Sequence, residues 1–402
     1  MARIACLAAL LVALIAPAAR AAGPVATVRA LDGQMNRAGI GAGAYVVDLD
    51  SGRTLYSRAP DVPRLPASVN KLYTTSAALL RYGDEGQLMT DVLGDTQPDE
   101  NGVVTGSLYL RGGGDPEFGR AQVRGLARVL AGSGLTQVTN RVIGDESRFD
   151  RLRGGPDSGY ATSRWVGPLS ALSFNHGLTV GTRPRFQRNP PSYAAKQFER
   201  ELERAGVRVR RSARAGVAPA GAVTLGEWAS TRMAVLARHT NRPSDNYMAE
   251  TLLKDLGADF GAAGTTKAGT AVAAETAAVF GAYPTMVDGS GLSRLNRTSP
   301  RDVVKLLAGL DESPAATPMR ASLAVAGRSG TLSERMRRSS ACGRCRAKTG
   351  TLIGVSNLAG YCTSRTGARV AFAFLMSGIS VWSAHALQDR MATTLARYAP
   401  GR

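Results

Sequence analysis

A hydroxyl and an amine lie three residues apart in Ser68-Val69-Asn70-Lys71, at the head of an apolar-rich stretch from Leu72 to Leu80 that stops at Gly83. On a helix, residues i and i+3 share a face, so Ser68 and Lys71 would point the same way from the first turn. The partial positive charge of a helix N-terminus favours an alkoxide and disfavours a protonated amine. Lys71 could then draw the proton from Ser68 near neutral pH, which is how a serine becomes a nucleophile. The lysine is informative because the chain has 50 Lys+Arg, of which six are lysine. Arginine does not give up its proton in a protein, so a position needing only charge would more readily have been arginine here. Ser68-x-x-Lys71 is the single Ser-x-x-Lys of the chain. The competing reading is a capped helix start followed by a solvated lysine.

Two further short motifs follow in order. Ser-x-Asn occurs at Ser68, Ser173 and Ser244, and only Ser244-Asp245-Asn246 opens a predicted helix, running to about Leu256 with Ser244 as its N-cap. Lys348-Thr349-Gly350 is the single Lys-Thr-Gly, on a predicted hairpin of Arg346 to Leu352 and Val355 to Cys362 around Ile353-Gly354. The set Ser-x-x-Lys, Ser-Asp-Asn, Lys-Thr-Gly resembles that of the penicillin-binding proteins and serine β-lactamases. An acyl-transfer enzyme needs a nucleophile, a base, a proton relay to the leaving amine and an oxyanion site. Ser68 would be the nucleophile, Lys71 its base and Ser244 the relay. Asn246 would bond a substrate amide, and Lys348 with Thr349 a carboxylate. Gly350 would let the strand approach the substrate closely. The resemblance further implies an oxyanion hole from the backbone N–H groups of Ser68 and Thr351.

The chain is similar in particular to the D-alanyl-D-alanine carboxypeptidase/endopeptidase branch of the low-molecular-mass, class C penicillin-binding proteins. The stretches that carry this are Leu65 to Lys71, Leu108 to Pro116, Gly144-Asp145, Gly167 to Asn175, Asp288 to Arg294 and Ala347 to Thr351. That branch has a large insertion between its first two motifs, and Ser68 and Ser244 are 176 residues apart. Two departures stand out: Ser329 where an Asp is common, and the Cys342/Cys345 pair.

The elements that must position these residues can be read around them. Ala44 to Leu49 and Arg53 to Ser57 form a predicted hairpin across Asp50-Ser51-Gly52. A proline-marked connection, Pro60 to Pro66, leads into the Ser68 helix. From about residue 91 the texture changes to short strands, at Val103-Val104, Ser107 to Arg111 and Val142 to Asp145, with a helix over Ala121 to Leu130. Pro- and Gly-rich loops cover Gly154 to Pro168 and Pro184 to Pro191. Helical texture returns over Leu225 to Arg238. Asp288 to Gly291 is a turn, Ser299-Pro300 starts another helix, and Val370 to Met376 is a strand. Leu387, Met391, Leu395 and Tyr398 recur at helical spacing. The expected fold class is α/β: a serine transpeptidase/β-lactamase-like domain, an antiparallel sheet flanked by helices, with a large inserted β-rich region. The catalytic domain would be split over 22–90 and 226–402, and the insertion, 91–225, would hold one or two subdomains.

Composition sets the setting. The 402 residues are 44% hydrophobic, normal for a globular chain with a full core. Met1 to Ala21 reads as a signal peptide, with Arg3, an apolar run from Ile4 to Ile15 and Ala19-Arg20-Ala21 as the cleavage site. No later stretch is long and apolar enough to span a bilayer. The expectation is an exported protein without a transmembrane segment, in the periplasm or at the cell wall of a bacterium. The net charge of +19 suits an anionic wall polymer or membrane surface better than nucleic acid, for which no zinc-finger or RNA-binding signature is present; a solvated arginine-rich surface is the equal alternative. Cys342, Cys345 and Cys362 remain after Cys6, and in an oxidising compartment a disulfide is expected. Cys342–Cys345 and Cys345–Cys362 are both open. No metal or cofactor is expected, since His176, His239 and His385 are scattered; His176 and His239 read as structural or surface residues.

The function expected is a serine D-Ala-D-Ala carboxypeptidase/endopeptidase acting on peptidoglycan stem peptides through an acyl-Ser68, and acylated by penicillin. The alternatives are a β-lactamase or esterase of the same fold, for which no alignable deacylating Glu can be assigned, and a non-catalytic wall-binding protein, which predicts a broken motif.

Overall fold

The computed structural model of the protein describes residues 22–401. The predicted signal, Met1 to Ala21 with Cys6, lies outside the described residues. In chain order the elements are α1 (Pro24–Ala38), β1 (Ala42–Asp48), β2 (Thr54–Arg58), a 3-10 turn (Ala67–Asn70), α2 (Lys71–Tyr82), β3 (Met89–Gly94), β4 (Val103–Val104), β5 (Leu108–Arg111), α3 (Arg120–Gly132) and β6 (Gln137–Asp145). They continue with α4 (Pro190–Arg204), β7 (Arg208–Ala215), β8 (Val223–Ala229), α5 (Met233–Asn241), α6 (Asn246–Phe260), α7 (Thr266–Ala278), α8 (Pro300–Asp311) and α9 (Ala316–Ser322). The last are β9 (Ala324–Val325), β10 (Cys345–Leu352), β11 (Val355–Thr363), β12 (Arg369–Ser377) and α10 (Val381–Leu395).

The first sheet runs β2-β1-β12-β11-β10-β9, and every pairing in it is antiparallel. Its side chains alternate between two cores, as a period of two requires. On β12, Val370, Phe372, Phe374 and Met376 pack with Leu31 and Met35 of α1 and Leu387, Met391 and Leu395 of α10. Ala371 and Ala373 face the other way, against Leu72 of α2, Leu236 of α5 and Leu307 of α8. The small residues let the helices that carry the site lie close to the sheet. Each large apolar side chain buried in these layers contributes about 1.5–3 kcal/mol. Cys345 and Cys362 sit directly opposite on β10 and β11 and form the disulfide, leaving Cys342 free and partly exposed.

The second sheet runs β4-β6-β5-β3-β8, with β7 also paired to β6. It mixes parallel and antiparallel pairs, and α3 and α4 cover one face through Val123, Leu126, Phe198 and Leu202. Two expectations are corrected here. Leu225 to Ala229 is strand, not the start of a helix; the helix begins at Met233. Pro190-Pro191 do not end a loop but open α4, whose N-cap Asn189 accepts the Ser192 N–H. Among the described residues, no helix is long and apolar enough to cross a membrane.

Candidate active site

The three motifs converge where the 3-10 turn, the N-terminus of α6 and β10 meet. Ser68 lies on the 3-10 turn rather than inside the helix, and Lys71 is the first residue of α2. Ala67 precedes Ser68 with φ of 46°, a left-handed kink that sets the turn off from the proline-rich connection. Two anchors hold it. The Asn357 side chain on β11 donates to the carbonyls of Leu65 and Pro66, at 2.9 and 2.8 Å, and accepts the Met376 N–H. The Asn70 side chain donates to the Asp288 carbonyl at 2.7 Å. Gly350 faces this turn: a Cβ there would stand 2.7 Å from the Pro66 carbonyl oxygen and 3.2 Å from the Ser68 nitrogen. The sheet passes the turn so closely that no side chain fits between them.

Lys71 is fully buried and its Nζ donates to Ser68 Oγ at 3.0 Å, Asn246 Oδ1 at 2.7 Å and the Ser290 carbonyl at 2.7 Å. Burial brings its pKa down to about 8, against the opposing pull of Asp288, Glu250 and Asp245. Desolvation, rather than the helix N-terminus expected from the sequence, is the principal cause.

Ser244 does not cap α6. Asp245 does, its side chain accepting the Met248 N–H at 2.9 Å. Ser244 instead takes φ of 67° and turns its hydroxyl to Lys348, whose Nζ donates to Ser244 Oγ at 2.8 Å and to the Thr349 carbonyl at 2.9 Å. Lys348 is also fully buried, and burial, reinforced by the charge of Lys71, holds its pKa well below the usual lysine range. Thr349 shares a hydrogen bond with Thr331 at 2.8 Å. A cleft of about 530 Å³ opens over these groups, lined by Ser68, Ser244, Asn246, Thr349, Thr351 and, from the β6–α4 connection, Trp165.

All eight residues singled out from the sequence thus lie within one site. Those the sequence reading missed are Asn357, Ser290, Glu250 and Thr331. Glu250 stands one helical turn after Asn246, and Ser290 lies in the Asp288 to Arg294 stretch already noted. His239 Nδ1 is 2.5 Å from Glu117, and the His176 ring lies tilted 5.3 Å from that of Tyr247.

The model of the D-Ala-D-Ala carboxypeptidase 3 (S13) family matches residues 26–183 and 180–398. A D-alanyl-D-alanine carboxypeptidase of an Actinomadura species is 31% identical, over 89% of this chain and 81% of that one. A carboxypeptidase of Mycobacterium tuberculosis is 29% identical, over 87% of this chain and 79% of that one. Among solved structures, penicillin-binding protein 4 of Haemophilus influenzae covers 91% of this chain and 98% of its own, with a TM-score of 0.78 at 21% identity; its complex with a β-lactam matches with a TM-score of 0.75. The fold is that of the penicillin-binding peptidases, as the sequence led one to expect. With the family model covering nearly the whole described chain and a relative above 30% identity along most of both lengths, the chain belongs to the D-Ala-D-Ala carboxypeptidase 3 (S13) family and is a serine-type D-Ala-D-Ala carboxypeptidase.

Proposed function

We propose that Ser68 is the nucleophile of this peptidase and that peptidoglycan stem peptides ending in D-Ala-D-Ala are its substrates. Lys71 takes the Ser68 proton as Oγ bonds to the penultimate D-Ala carbonyl. The oxyanion rests on the backbone N–H groups of Ser68 and Thr351. Ser244, bonded to Lys348, passes a proton to the departing amine as the C–N bond breaks, and the proton that Lys71 took from Ser68 returns to Ser244, which leaves the Lys71 amine neutral again. Asn246 holds the substrate amide, while Lys348 and Thr349 hold the terminal carboxylate and Gly350 leaves room for the backbone. Water then cleaves the acyl-Ser68 ester and restores the hydroxyl. The observation that carries this is the contact of a buried, pKa-lowered Lys71 amine with Ser68 Oγ at 3.0 Å. A fluorescent penicillin should label the wild-type chain and leave a folded Ser68→Ala chain unlabelled. Label retained by Ser68→Ala would exclude the assignment. Digestion of wall fragments then resolves the product: free D-Ala for carboxypeptidase action, fewer cross-linked dimers for endopeptidase action.

Export by the Met1 to Ala21 segment fits such a substrate, and a mature N-terminus near Ala22 would establish it. The division into 22–90 with 226–402 and an inserted 91–225 is supported by the pairing of β3 with β8, which would form the two necks of the insertion. Limited proteolysis should then cut within 91–225 without loss of penicillin labelling. A row of exposed arginines on β7, Arg208, Arg210, Arg211 and Arg214, supports contact with an anionic wall polymer. Retention on wall fragments that is insensitive to salt would contradict it.

A further inference from the structure

Glu250 lies one helical turn beyond Asn246 on α6 and is fully buried. Its Oε1 accepts the backbone N–H groups of Gly289 at 3.1 Å and Ser290 at 2.7 Å. The carbonyl of that same Ser290 accepts from Lys71 Nζ at 2.7 Å. The tight turn is braced on its far side by Asp288, which accepts the Gly291 and Ser293 N–H groups and the Asn296 amide. Among the described residues, Glu250 Oε2 is buried with no hydrogen-bond partner. A buried carboxylate oxygen without a protein partner is costly and calls for a reason beyond holding a turn.

We propose that Glu250 is a positioning residue for the acylation base: through Gly289 and Ser290 it fixes the carbonyl that aims Lys71 at Ser68, and its negative charge steadies the ammonium that Lys71 becomes as it takes the Ser68 proton. The inference rests on the reading of Lys71 as the base.

The surrounding charges agree with an ionised Glu250 when the base is needed. Lys71 approaches from α2, with Lys348 beyond it on β10; Asp288 faces it from the 288–291 turn; Asp245 caps α6 and Lys254 lies on it. Lys254, fully buried one turn further along, is tied to Asp150 at 2.5 Å and to the Leu152 carbonyl. Glu250 therefore stands between two buried lysines, both of which its charge supports. Burial and the charge of Asp288 push its own carboxyl up from the usual carboxylate range, while hydrogen bonds from the Gly289 and Ser290 N–H groups favour the charged form.

Two variants separate charge from reach. Glu250→Gln keeps the shape and the acceptor but removes the charge, so the acid limb of the acylation pH profile should move to lower pH. Glu250→Asp keeps the charge but falls a methylene short of the turn, and acylation by penicillin should drop roughly ten- to a hundredfold. Thermal unfolding of both checks that they fold. A Glu250→Gln profile that coincides with wild type, or a Glu250→Asp chain acylated at the wild-type rate, would overturn the proposal. A wild-type chain that penicillin does not acylate, or a labelled Ser68→Ala chain, would instead remove the reading beneath it.

Discussion

Lys348 and Ser244 repeat the relationship of Lys71 and Ser68: an amine donates to a serine hydroxyl at 2.8 Å in one pair and 3.0 Å in the other. Their company differs. Three carboxylates support the charge of Lys71, whereas the principal charge acting on Lys348 is that of Lys71 itself. Burial and like charge both weaken the protonated form of Lys348. An incoming substrate carboxylate would supply the missing negative charge and favour that form.

Lys348→Ala should therefore weaken acylation by both D-Ala-D-Ala peptides and penicillin. A charge-assisted hydrogen bond is worth about 1.5–3 kcal/mol, so kcat/KM should fall at least roughly ten- to a hundredfold. A substrate with an amidated terminus should already be poor for wild type and lose little more. Equal fold losses for acid and amide would show that Lys348 does not read the carboxylate.

The pH profile follows from Lys71. As the proposed base it accepts the proton in its neutral form, and burial lowers its pKa to about 8. The acylation rate should rise roughly tenfold per pH unit below that value and level off above it. Lys71→Arg cannot supply a neutral base, so acylation should fall by several orders of magnitude across the whole range. Near-normal labelling of Lys71→Arg would reduce the residue to a charge.

Gly350→Ala adds a methyl 2.7 Å from a backbone carbonyl that Asn357 pins in place. Either β10 or the Ser68 turn must shift. Overpacking of this kind costs about 1–3 kcal/mol, and the penicillin-labelling rate should fall by more than the change in thermal midpoint explains. Labelling at the wild-type rate would mean that the close approach is incidental.

Asn357→Ala removes both donors to Leu65 and Pro66 and the acceptor for Met376. Each backbone group left unsatisfied in the interior costs about 1–3 kcal/mol. Urea unfolding should show a lower midpoint, and labelling by penicillin should slow even where the chain remains folded. A variant with an unchanged midpoint and rate would mean that solvent or neighbouring groups replace the anchor.

The parts of the site legible in the sequence are those built from neighbours along the chain. The Ser68 turn and α2, and the hairpin around Lys348, follow from local apolar spacing, a glycine stop and a tight turn. Leu225 to Ala229 misled for a physical reason. The β3–β8 pairing shifts register between Val92 and Leu93, and Leu225 is the residue skipped. That bulge lets Leu225 and Trp228, three apart, both reach the core beneath α3 and imitate a helical face. Pro190-Pro191 misled because proline suits the first turn of a helix as well as a loop. Ser244 was found for its type but given the wrong local role, because Asp245 beside it is an equally good cap. Asn357 was invisible, since its meaning comes from a partner 291 residues away, and Ser290 was seen only as part of the Asp288 to Arg294 stretch, its role being set by a partner 219 residues away.

The neighbours β1 and β12 carry a consequence for how the molecule comes into being. Residues 42–48 pair with residues 370–376, so one of the earliest strands synthesised must wait for one of the last. Until β12 arrives, β1 has only its hairpin partner β2, and Asn357 lacks the Met376 N–H that helps orient it. Pairing across so long an interval makes closure slow and leaves strand edges bare meanwhile. A growing or truncated chain can thus contain Ser68, Lys71, Ser244 and Lys348 and still be inert. Completion of the anchor beside Ser68 therefore waits on the C-terminal strand.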